Sequence, residues 1–65
     1  MDLKSKFLKI YANLPLELRN SEIVAVLENE PMTWNAIKLE VENDTEKGKI
    51  LLDKLRELKI ITNND

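Results

Sequence analysis

The stretch Leu16–Thr33 reads LELRNSEIVAVLENEPMT, and its assignment settles the fold class. Pro15, just ahead of it, biases Leu14 away from helical dihedrals and can open a new helix at its first position. The apolar residues that follow are Leu16, Leu18, Ile23, Val24, Val26 and Leu27. They read as one long helix, or as a short one bent near Asn20–Ser21, and either version ends before Pro31. The cluster Ile23–Leu27 is nearly all apolar, as expected of the most buried helix in a small bundle.

Upstream, Leu3, Phe7, Ile10 and Leu14 recur at helical spacing with Tyr11 beside them, while Asp2, Lys6, Lys9 and Asn13 fall on the other side. This is an amphipathic helix that should stop by Asn13. Downstream, Thr33 is a good N-cap for a helix carrying Trp34, Ile37 and Val41 on one face. Asn43, with Glu46 three residues later, forms a capping-box pattern for a last helix striped by Leu51, Leu52, Leu55 and Leu58. Ile60 and Ile61 follow as a short β-prone tail, and residues 62–65 should fray. The expected core contains Leu27, Ile37, Val41, Leu51, Leu55 and Leu58.

With 65 residues, the chain makes one small domain: an N-terminal helix over residues 1–14, a core over 15–61 and the tail. A domain this size buries only about 60% of its unfolded surface, so its net stability should be a few kcal/mol. It has neither cysteine nor histidine, so no disulfide or zinc site staples it. A composition 43% hydrophobic and 34% charged suits a globular domain. Ten basic residues against 12 acids give a net charge of −2, without the basic excess of a strong nucleic-acid binder. No apolar run reaches the roughly 18 residues of a membrane span, and the charged N-terminus is no signal peptide. The absence of cysteine fits a cytoplasmic setting.

From Ile23 to Ile61 the order is buried helix, Pro-Met-Thr, short helix, polar turn, leucine-striped helix, then Lys-Ile-Ile. This resembles the helix-turn-helix core of the winged-helix superfamily, with Pro31-Met32 in place of the short first strand. The resemblance implies an all-α domain of three to four helices, with at most very short strands and a wing that is absent or vestigial. It also implies that the last helix is the one that enters the major groove. Gly48, the chain's single glycine, stands one turn into that helix, where glycine costs about 1 kcal/mol relative to alanine. A close approach of the Trp34–Val41 helix would offset the cost. The competing reading makes Gly48 the C-cap of a longer helix that begins at Thr33.

Two functions follow for a non-catalytic helix-turn-helix module. In a DNA-binding regulator, Lys47 and Lys54 would contact phosphate, flanked by Lys49 and Arg56, although Glu46, Asp53 and Glu57 on the same face would repel it. In a protein-interaction or dimerisation module that does not bind DNA, Ile50 would be an apolar anchor on a charged face, with Leu39, Tyr11 and Trp34 as further contacts. Catalysis lacks its parts, since Ser5 and Ser21 have no histidine or cysteine to work with. Glu42, Asp44 and Glu46 alternate like calcium-loop ligands. The loop's required glycine and final glutamate, however, are replaced by Lys47 and Asp53, so the segment reads as a helix cap. No cofactor and no small-molecule substrate is implied.

Overall fold

In the computed structural model, which describes residues 2–62, the stretch Ile23–Leu27 is a strand and not a helix. The described elements run α1 (Leu3–Ala12), α2 (Leu16–Ser21), β1 (Ile23–Leu27), β2 (Glu30–Thr33), α3 (Trp34–Glu42) and α4 (Glu46–Glu57). The all-α expectation is therefore corrected. The described residues form a mixed α/β domain, with four helices and a two-stranded antiparallel sheet.

The reason lies in length and side-chain shape. Ile-Val-Ala-Val-Leu is rich in β-branched residues, whose stiff χ1 suits a pleated surface, and five residues are too few for a stable buried helix. Glu28 and Asn29 have φ of 52° and 68°, which makes them the two-residue turn of a type I′ hairpin. In the resulting register Ala25 faces Met32 and both are buried, while Val26 faces Pro31 on the outer side. A register shift between Ile23 and Ala25 bends the start of β1.

Each helix is delimited by local hydrogen bonds. The Asp2 carboxylate accepts the Ser5 N–H at 2.8 Å to start α1, and that bond holds its pKa below the ordinary aspartate value. Thr33 caps α3 as expected, its Oγ1 accepting the Ala36 N–H at 3.1 Å. The expected capping box at Asn43 and Glu46 does not form. Asn43 instead closes α3, donating its side-chain amide to the Leu39 carbonyl at 2.8 Å. Asp44 then takes a left-handed φ of 52°, its N–H bonding Val41 O at 3.2 Å, while the Thr45 N–H bonds Glu40 O at 3.2 Å. These are the two bonds of a Schellman motif. Thr45 follows as the N-cap of α4, accepting the Gly48 N–H at 2.9 Å. A second Schellman motif ends α4: Lys59 has φ of 63°, its N–H bonds Arg56 O, and the Ile60 N–H bonds Leu55 O at 2.9 Å.

Phe7, Ala25, Met32, Trp34, Ile37, Val41, Leu51, Leu55 and Ile61 form the core. The Phe7 ring stacks on Trp34 with centroids 5.8 Å apart, so α1 contributes the centre of the core. Leu27 packs partly buried against this cluster. Leu58 was expected inside, but it is 53% exposed. The Schellman turn reverses the chain after Leu58 and brings Ile61 into the core in its place, so Ile60–Ile61 add no strand. Lys6, expected on the polar side of α1, is buried and donates to the Thr62 carbonyl. Of the tail expected to fray, Thr62 is exposed, and residues 63–65 lie outside the described residues.

Gly48 is buried, and a Cβ built there would come within 2.5 Å of the Glu40 carbonyl oxygen. Helix α4 therefore crosses the last turn of α3 at backbone contact. The C-cap alternative fails, since α3 ends at Glu42 and Gly48 does not have a positive φ.

Candidate interaction site

Helix α4 buries Gly48, Leu51 and Leu55 and turns its other residues towards the hairpin and outwards. Its N-terminal half meets the hairpin turn. Leu27 and Ile50 supply apolar walls there, and Glu28, Glu30 and Lys47 supply charged ones. Together they line a groove of about 250 Å³. Ile50 is 47% exposed, a level at which an isoleucine still has apolar surface to bury.

The charges at this groove are unequal. Lys47 Nζ donates to the Glu30 carboxylate, and the two form an ion pair across 17 residues of sequence. Its pKa is raised, chiefly by this hydrogen bond; burial opposes the rise, and the negative charges of Glu30, Glu40 and Glu28 add to it. One ammonium thus stands among three carboxylates. Among the described residues, Glu28 has no ion-pair partner.

The four cations proposed from sequence as phosphate contacts are not equivalent. Lys47 is held by Glu30, and Arg56 by Asp53, with Nη2 2.9 Å from Oδ1. Lys49 is exposed and Lys54 half-buried, and neither makes an ion pair within the described residues.

The apolar candidates also separate. Trp34 is a core residue, 6% exposed, and its Nε1 donates to Glu22 Oε1 at 2.8 Å. Tyr11 is partly buried and fastened in place. Its hydroxyl donates to Asn35, the Arg19 guanidinium lies 4.4 Å from its ring centroid, and Lys38 Nζ lies 5.2 Å from it. Such contacts stabilise the junction of α1, α2 and α3 and leave little of the ring for a partner. Leu39 is 62% exposed on α3 and does not line the groove. Of these four candidates, Ile50 is the one that lines the groove.

Sequence reasoning missed Leu27, Glu28 and Glu30. The two polar residues between Leu27 and Glu30 were the available signal, but a hairpin turn usually announces itself with Asn-Gly or Asp-Gly, and Glu-Asn is a faint version of that.

Among the described residues no group of three or more acidic side chains is placed to hold a metal ion, and no helix is long and apolar enough to cross a membrane. No family model, curated protein or solved structure matches this chain.

Proposed function

We propose that this chain is a non-catalytic protein-interaction module that docks partners in the groove beside Ile50 and does not read DNA. The observation that carries this reading is the dual setting of the first half of α4. Lys47, one of the two cations expected to contact phosphate, is engaged by Glu30 among further carboxylates, and the same wall of side chains opens an apolar recess at Ile50 and Leu27. The α3–turn–α4 unit, closed by its Schellman motif and Thr45 cap, supports the winged-helix resemblance at the level of a helix-turn-helix.

Charge weighs against the DNA reading of that unit. An exposed ion pair is weak and can exchange partners, so the pairing of Lys47 and Arg56 is not by itself decisive. What counts is the sum near the backbone to be bound, because phosphate neutralisation supplies nearly all non-specific affinity. With Glu28 and Glu30 joining Glu46, Asp53 and Glu57, acids outnumber bases on this side of the domain.

The test is fluorescence anisotropy with a labelled mixed-sequence duplex of about 20 base pairs at about 50 mM salt, where non-specific binding is strongest. We expect no saturable binding up to about 100 µM protein, the weak end of non-specific affinities. Saturable binding, with a log–log salt slope that falls by about 0.9 for each lysine removed in Lys49→Ala and Lys54→Ala, would establish the DNA reading instead.

A further inference from the structure

The groove is smaller than the roughly 300–1,000 Å³ of sites that enclose drug-sized ligands, so its dimensions suit a protruding side chain better than a cofactor. Its walls state the chemistry of that side chain and of its neighbours. Leu27 and Ile50 are aliphatic and offer no hydrogen bond, so the inserted group is aliphatic. Around them, Glu30 is shared with Lys47, whereas Glu28 stands at the apex of the turn with no ion-pair partner among the described residues. Glu40 adds a third carboxylate near the same ammonium. The rim is therefore negative after Lys47 has been counted.

We infer that the groove between the hairpin turn and α4 takes a basic peptide segment of a partner protein, one aliphatic side chain entering between Leu27 and Ile50 and adjacent arginine or lysine side chains meeting Glu28 and Glu30. This rests on the docking reading above and adds the class of partner. A planar guanidinium can donate to both oxygens of the Glu28 carboxylate at once, which favours arginine at the position facing the turn. A second copy of this chain is a poor occupant. A two-fold contact centred on Ile50 would bring the Glu28 and Glu30 carboxylates of both copies towards one another.

The probe pair is acetyl-Lys-Arg-Leu-Arg-Lys-amide and acetyl-Glu-Asp-Leu-Asp-Glu-amide, each titrated into the ¹⁵N-labelled chain while backbone amide shifts are followed. The basic peptide is expected to shift amides of Leu27–Glu30 and Lys47–Leu51. It should bind at least about tenfold more tightly than the acidic one, as two or more favourable rim contacts imply. A third peptide, with serine for leucine, should lose the shifts at Ile50 and Leu51, which separates insertion from mere charge attraction. Glu28→Gln with Glu30→Gln should weaken the basic peptide about tenfold while leaving the dispersion of the spectrum unchanged.

Equal binding of the acidic peptide at the groove would overturn the inferred partner class and leave the docking reading standing. Shifts confined to other surfaces, or none at all, would overturn the inference, as would concentration-dependent shifts at the same amides without peptide, which would assign the groove to a second copy. Saturable DNA binding in the anisotropy assay would remove the docking reading itself, so the two failures are distinguishable.

Discussion

Gly48→Ala should destabilise the domain by about 1–3 kcal/mol, although alanine is the better helix former by about 1 kcal/mol. The added methyl would lie 2.5 Å from the Glu40 carbonyl oxygen and 2.7 Å from its carbon, closer than real Cβ atoms approach. Both are backbone atoms, so no rotamer change relieves the clash. The same carbonyl accepts the Thr45 N–H, so moving it disturbs the Schellman motif that closes α3. Gly48→Leu should be at least as damaging. The measurement is the urea midpoint at constant m-value. A midpoint raised by Gly48→Ala would mean that α3 and α4 do not touch here.

Phe7→Ala should abolish cooperative folding. The side chain is fully buried and stacks against Trp34, and removal of such an aromatic costs about 3–5 kcal/mol. A single core this small supplies no more than about that much net stability. The variant's thermal melt by circular dichroism should lose its sigmoid. A sharp transition at an unchanged temperature would make α1 a dispensable arm, in conflict with the burial of Phe7 and with the Lys6–Thr62 hydrogen bond that ties the two ends of the described chain together.

The parts of this fold that were legible in sequence are those set by local periodicity. The α1 stripe, the Thr33 cap, the α3 face of Trp34, Ile37 and Val41 and the Leu51–Leu55 seam each follow from residues within a turn or two of one another. Gly48 was legible as a packing site because a costly residue in a helix asks for a compensating contact. The hairpin was not. A five-residue apolar run carries no period long enough to distinguish strand from buried helix, and the turn that resolves it uses Glu28, a residue that rarely adopts a left-handed conformation. The misplaced Asn43 cap has a related cause. Asn43, Asp44 and Thr45 are all competent capping residues, and which one starts α4 depends on the left-handed step at Asp44.

The candidate site was half legible. Ile50 stood out as an apolar residue on a charged face, and Lys47 as a cation beside it. Their meaning changed once Glu30 and Leu27 were brought alongside from the hairpin, through pairings remote in sequence that no local pattern encodes. Trp34 and Tyr11 moved in the opposite direction, from surface candidates to packing groups, because a core centred on Phe7 has room for one ring and a polar clasp for the other.

The most direct test of docking at Ile50 is calorimetric titration of acetyl-Lys-Arg-Leu-Arg-Lys-amide into the wild-type chain and into Ile50→Lys. The substituted ammonium would enter the groove without a partner shaped for it and would repel the basic peptide. We expect the thermal melt of the variant to match the wild type, since Ile50 lies outside the core, and its affinity for the peptide to fall at least about tenfold. Equal affinity in the two chains would contradict the assignment of the groove as the docking site.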